Sequence, residues 1–159
     1  MGGFTHIDKN GNARMVDVSK KSETNRIAVA TGKIFMSKEA FDKVKEHQFA
    51  KGDVLTVAQV AGIMGAKKTS ELIPLSHILP LENVEVFFED VIEKDKYGFK
   101  ATCTAKVSGK TGVEMEALTG VNVALLTIYD MCKSVDKRMI ISDVHLKEKH
   151  GGKSGDFYF

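Results

Sequence analysis

A chain of 159 residues with 23 basic and 21 acidic side chains, a formal net charge of +2, is long enough for one domain with a sizeable core and too nearly neutral to demand a nucleic-acid partner. Hydrophobic residues make up 43% of it and charged residues 28%, and no apolar run approaches the roughly 20 residues of a membrane-spanning helix. That excludes a helical membrane protein. Cys103 and Cys132 stand far apart at apolar-phase positions, which predicts two buried thiols rather than a disulfide or a metal pair.

The first residues, "MGGFTHIDKNGNA", are rich in Gly and Asn with little periodicity, which predicts a flexible N-terminal arm over residues 1–13 and a single domain over 14–159. The start lacks a basic region followed by an apolar stretch, so no secretory signal is expected and the cytoplasm is the expected location. Alternation then predicts strands over Met15–Ser19 and Arg26–Met36, the second apolar on both parities. Ser37 is positioned to cap a short helix in "SKEAFDKVKEHQ", and Asp53 to cap a longer one in "DVLTVAQVAGIMGAKKTSEL". Lys51 and Gly52 fall at the junction before that second helix.

"LIPLSHILPL", Leu72 to Leu81, holds both prolines, Pro74 and Pro80, with Ser76 and His77 between them. A lone His in an apolar run is more often a satisfied core side chain than a reactive one. Two prolines also make a stiff loop on which an imidazole and a hydroxyl could be held for binding. Beyond it, "NVEVFFED" and "YGFKATCTAKVSG" alternate as the strands of an antiparallel hairpin turning near Asp95 and Lys96. A long helix is predicted for "EMEALTGVNVALLTIYDMCKSVDK", and a last strand through Met139, Ile141, Val144 and Leu146. Antiparallel strands with helices inserted between them predict an α+β fold, an antiparallel sheet with helices on one face, closest to a ferredoxin-like core.

On the long helix Asp130 and Lys133 share a face with Thr127. They read either as a surface ion pair worth about 0.5 kcal/mol, or, because Ala124, Leu125, Ile128, Met131 and Val135 make the helix apolar over most of its circumference, as a buried acid and base kept for a purpose. Glu114 and Glu116 flank Met115 in the first turn, where they either offset the helix dipole or turn one carboxyl toward a cavity as an acid-base group. Lys67 and Lys68, and Lys147, Lys149 and Lys153 in "LKEKHGGKSG", are surface charges or, where glycines adjoin them, a phosphate cradle. Neither "GKIFMSKEA" nor "GIMGAKKTS" has the spacing of a nucleotide-binding P-loop.

Four stretches in order, "MVDVSKKSETNRIAVATGKIFM", "KGDVLTVAQVAGIMGAKKTSELIPLSH", "GVEMEALTGVNVALLTIYDMCKSVDK" and "KHGGKSG", resemble the molybdenum cofactor biosynthesis accessory protein C family, the cyclic pyranopterin monophosphate synthases. The resemblance covers about Phe4 to Asp156. It implies a lyase that converts 3′,8-cyclo-7,8-dihydro-GTP to cyclic pyranopterin monophosphate and releases pyrophosphate. By motif, it implies catalytic roles for Asp130, Lys133 and Lys51, and substrate binding by Leu75, Ser76, His77, Met115 and Glu116, with Glu114 beside them. Arg26, Lys67, Lys149 and Lys153 match basic positions around the triphosphate. The resemblance further implies no metal site and no tightly bound cofactor, although Mg2+ can accompany the triphosphate. It implies a homohexamer, a trimer of dimers, with sites at the dimer interface and neither nucleic acid nor membrane as partner.

The chain departs from the family pattern at Ser76-His77-Ile78, where Cys-His-Pro is usual. Serine keeps a small polar group there, and loss of the proline leaves the loop less restrained. A rival reading takes "DKYGFKATCTA" as the aromatic strand of an RNA-binding ferredoxin-like domain, but it lacks the glycine after the basic residue and the terminal aromatic. A second rival, an inactive scaffold, is disfavoured by the presence of Lys51, Asp130 and Lys133.

Overall fold

A computed structural model describes residues 5–47 and 52–159 of the chain. Lys51, expected at the start of the second helix, lies outside the described residues. Nine elements follow in order: β1 (Thr24–Met36), α1 (Lys38–Lys45), α2 (Val54–Lys67), α3 (Thr69–Leu72), β2 (Asn83–Glu93), β3 (Lys96–Gly109), α4 (Glu114–Cys132), β4 (Ile140–His150) and β5 (Phe157–Tyr158). The strands form one sheet in the order β2-β3-β1-β4-β5 with every neighbouring pair antiparallel. Without the short α1, α3 and β5, this is the β-α-β-β-α-β plan of the expected ferredoxin-like fold.

Local chemistry sets the element boundaries. Ser37 accepts a hydrogen bond from the Ala40 amide, and Asp53 accepts from the Leu55 and Thr56 amides, so both expected caps are made. The β2–β3 hairpin turns through Lys94 and Asp95, with Glu93 paired to Lys96 and Lys94 at φ 56°, as a two-residue turn of primed type requires. α4 ends at Cys132 instead of continuing through Lys137. The Val135 and Asp136 amides both turn back to the Cys132 carbonyl, and the Asp136 carboxylate accepts from the Ser37 amide ahead of α1.

Residues Met15–Ser19 form no strand. The next strand, β1, already has β3 on one edge and β4 on the other, so alternation there finds no free edge of β1 to join. The last strand is longer than expected, reaching His150, and β5 adds a pairing that its two residues did not announce.

α2 and α4 cover one face of the sheet. Beneath them Ala28, Ala30, Ile34, Phe99, Ala101, Cys103, Ala105 and Val107 are buried, the even positions of β1 and the odd positions of β3. Burial pushes the Cys103 thiol up to about 12 and the Cys132 thiol up to about 11; both are free and protonated at neutral pH. Shifts of register between Val29 and Ala30 and between Thr31 and Lys33 interrupt the β1–β4 pairing. Because of the first, Leu146 opposite Ala30 and Lys149 opposite Ala28 both face the helices although they are three residues apart. Among the described residues no helix is long and apolar enough to cross a membrane.

The two long helices touch backbone to backbone. A Cβ on Gly62 of α2 would sit 2.9 Å from the Gly120 carbonyl oxygen of α4 and 3.1 Å from Val86. Gly62→Val should therefore destabilise the fold by about 2–4 kcal/mol, the overpacking outweighing the gain in helix propensity of well under 1 kcal/mol. The check is the urea midpoint at unchanged slope; an unaltered midpoint would mean that the helices part without cost.

Candidate functional site

The start of β1, the end of β3, the first turn of α4 and the end of β4 meet at one end of the sheet, and their polar side chains interlock. Arg26 donates from Nε to the Gly109 carbonyl at 3.0 Å and from Nη2 to the Lys110 carbonyl at 3.2 Å. These bonds fix the plane of the guanidinium, and among the described residues no carboxylate pairs with it. Lys149, turned to the helix side by the register shift, places Nζ 2.9 Å from Glu114 Oε1 and donates to Ser154 Oγ at 3.2 Å. Both members of the ion pair are about three-quarters buried. A Cβ at Gly112 would collide with the Glu114 carboxylate, so a glycine there leaves the acid its place.

Beside this cluster is a cleft of about 330 Å³ walled by Leu75, Ser76, His77, Met115 and Glu116, with His6 on its far side. His77 Nε2 lies 2.8 Å from the Val16 carbonyl oxygen. A carbonyl only accepts, so Nε2 carries the hydrogen of this bond, and Nδ1 is left for another partner. Glu116 is 3% exposed. Burial, with the neighbouring Glu114 charge adding to it, pushes its carboxyl up to about 7 against a hydrogen bond from its own amide. A carboxyl that holds its proton to neutrality can donate as well as accept.

On the outer side of the same end, Lys21, Ser22, Thr24, Arg26, Lys153 and Ser154 line a pocket of about 200 Å³. The Thr24 hydroxyl is buried without a hydrogen-bond partner and belongs to that wall. Three cations around a small polar pocket suit an anion.

The other end of α4 carries the second group of expected residues. Lys133 Nζ lies 2.6 Å from Asp130 Oδ1. Their side chains are 53% and 59% exposed, so the apolar helix does not bury the pair, contrary to the reading of its circumference. The Asp130 hydrogen bond and charge raise the lysine above its ordinary value, the opposite of the lowering that burial would bring. Lys133 opens onto a cleft of about 920 Å³ lined also by Lys96, Lys137, Arg138, Glu39 and Asp136.

Structure thus gathers Arg26, Leu75, Ser76, His77, Glu114, Met115, Glu116, Lys149 and Lys153 at one end of α4, and Asp130 with Lys133 at the other. Lys67 joins neither pocket; it is exposed in the last turn of α2. At 1.5 Å per residue α4 separates the two groups, Glu114–Glu116 and Asp130–Lys133, by about 21–28 Å along its axis. Sequence reasoning missed His6, Lys21 and Thr24. The Lys20-Lys21 pair near Arg26 was a usable signal for the second; a lone His in an aperiodic arm and a single hydroxyl gave none. Among the described residues no group of three or more His, Cys, Asp or Glu side chains is arranged to hold a metal ion.

The MoaC family matches residues 15–152 of the chain. The cyclic pyranopterin monophosphate synthase of Clostridium perfringens strain SM101 is 57% identical over 156 residues, 98% of each chain. That of Clostridium acetobutylicum is 53% identical over 154 residues, 97% of this chain and 94% of the other. That of Geobacillus thermodenitrificans is 50% identical over 157 residues, 99% and 97%.

The raised Glu116 carboxyl makes stability fall with pH. Its proton is held more tightly in the folded chain than in the unfolded one, so nothing is lost below the usual 4.5. The penalty grows as pH rises from there to about 7 and is constant above. Glu116→Gln should be more stable than the parent by up to about 3 kcal/mol at pH 8 and no more stable at pH 4. Urea unfolding at the two pH values measures this, and an equal gain at both would show that the carboxyl is not the cause.

Proposed function

The chain belongs to the MoaC family, and on that premise we infer that it is a lyase of molybdenum cofactor biosynthesis, converting 3′,8-cyclo-7,8-dihydro-GTP to cyclic pyranopterin monophosphate with release of pyrophosphate. The observation that carries the reading for this chain is that the motif residues fall into two groups of different chemistry at the two ends of one helix. One group binds and the other moves protons.

At the binding end, the apolar wall of Leu75 and Met115 takes the flat base, and His77 Nδ1, the Ser76 hydroxyl and the protonatable Glu116 meet its polar edge. Arg26, Lys149 and Lys153 offset the negative charge of the triphosphate and of the departing pyrophosphate. Mg2+, when present, comes with the triphosphate as its counterion, and no tightly bound cofactor takes part. At the other end, Asp130 and Lys133, together with Lys51, give and take the protons that ring opening and cyclic phosphate closure require. Lys67 adds charge from the edge of α2.

A span of about 21–28 Å is too long for one nucleotide-sized substrate to bridge. A complete site therefore takes its binding half from one chain and its acid-base half from another, in the dimers of a homohexamer. In such a site the cations of the second chain would lie near Lys133 and lower its pKa toward the working range, countering Asp130. A cytoplasmic address follows from the same pathway reading.

Lys133→Ala should lower kcat about a thousandfold, as loss of a general acid-base group does, and His77→Ala should be similarly inactive at low substrate. Refolding the two inactive chains together in equal amounts should recover about a quarter of wild-type activity, since half the dimers are mixed and each mixed dimer keeps one intact site. Pyrophosphate release and the oxidised fluorescent pterin are followed together. Wild type that binds the compound and releases neither would overturn the lyase reading; no recovery in verified mixed dimers would overturn the shared site.

A further inference from the structure

After β4 the chain makes a six-residue loop, 151–156, and returns as β5 with Tyr158 opposite Glu148 and Phe157 opposite Lys149. Gly151, Gly152 and Gly155 all have positive φ, 86°, 84° and 71°. Side chains could not replace the first two, because a Cβ on Gly151 would strike the Asn25 carbonyl and one on Gly152 the Arg26 guanidinium. The loop thus lies directly on Arg26, with Lys153 and Ser154 facing the pocket that Lys21 and Thr24 also line. A loop with three glycines has more conformations to lose than most, so something must hold it there.

What holds it is a clasp at its base. Asp156 Oδ1 accepts from the Gly151 amide at 3.3 Å, closing the loop across its own ends. Asp156 Oδ2 lies 3.3 Å from His150 Nδ1, and the other ring nitrogen of His150 lies 3.7 Å from Glu148 Oε1. The imidazole is held edge-on to the Tyr158 ring at 5.4 Å. The imidazole first and the Gly151 amide second keep the Asp156 carboxyl below its ordinary value, so it is ionised and acceptor-only at neutral pH. Ser154, bonded to Lys149, ties the middle of the loop to β4.

We propose that Asp156 is a positioning residue, holding the glycine loop closed over Arg26 so that Lys153 meets an anionic, phosphate-bearing part of the substrate, with His150 fixing Asp156 in turn. The inference rests on the reading of this end of the molecule as the binding half of the site. Asp156 touches no substrate itself. Its carboxylate is the only group among the described residues that bonds both to the amide opening the loop and to the side chain that anchors it to β4.

The test is steady-state kinetics of wild type, Asp156→Ala, Lys153→Ala and the double variant on 3′,8-cyclo-7,8-dihydro-GTP, with inhibition by inorganic pyrophosphate measured alongside. Asp156→Ala should raise KM and the pyrophosphate inhibition constant about tenfold with kcat within about twofold. In the Lys153→Ala background the same change should cost less than about twofold, because Asp156 acts through Lys153. Asp156→Asn keeps an oxygen for the Gly151 amide and loses the charge beside His150, and should fall between; it carries the test if the alanine variant does not fold. Unchanged KM and inhibition, or effects that multiply in the double variant, overturn the proposal while leaving the lyase reading in place. Wild type that neither turns over nor responds to pyrophosphate overturns the underlying reading, and the proposal with it.

Discussion

The close seat of α4 on the sheet is the constraint from which the rest follows. Small side chains make it possible: Ala28, Ala30, Ala101, Cys103 and Ala105 form the floor, and a Cβ on Gly32 would fall within about 3 Å of Val121, Leu125 and Val144. A floor of larger residues would lift the helix by the width of a methyl or more and open voids that the core does not tolerate. Seated this way, α4 becomes a ruler. Its first turn sets Glu114 and Glu116 against β4 and the His77 loop, and its last turn carries Asp130 and Lys133 to the opposite end of the molecule.

The end of the molecule around Glu114 and Lys149 depends equally on irregularity. An uninterrupted β4 would alternate, and Leu146 and Lys149 would point to opposite faces. The register shift beside Ala30 brings both to the helix side, so that one strand supplies a core residue and, three positions on, an ammonium for Glu114. The ion pair is only partly screened and ties β4 to the start of α4. Burial and the charge of Glu114 then combine to keep Glu116 protonated to about neutral pH, so its charge state is set by its surroundings.

Sequence reading reached the fold through what is local: capping by Ser37 and Asp53, the alternation of β2 and β3, and a hairpin turn expected near Asp95 and Lys96 and found one residue earlier, at Lys94 and Asp95. It failed where the answer was not local. Met15–Ser19 alternates as well as a strand does, yet both edges of β1 were already taken. The two residues of β5 carry no periodicity of their own, and only the return of the chain beside Glu148 and Lys149 makes them a strand. The site followed the same division. Motif residues were found one by one, whereas the contacts that orient them, the Val16 carbonyl on His77 and the Gly109 and Lys110 carbonyls on Arg26, come from main chain distant in sequence and leave no mark in side-chain identity.

Of the two readings of Asp130 and Lys133, the exposed ion pair holds, and the buried one fails for a physical reason. α4 was read as buried because it is apolar nearly all round, and in the single chain it still shows Met115 and Leu126 to solvent, while neighbouring α2 shows Val57, Val60 and Met64. A helix layer with that much apolar outer surface is unusual for a free monomer. The sequence pattern is the one expected of a surface that another copy covers, as a site shared between chains requires. Periodicity therefore suggested a burial that the single chain does not provide, and Asp130 and Lys133 stay exposed. The same apolar residues that misled the reading of the monomer are the surface that the proposed shared site would cover.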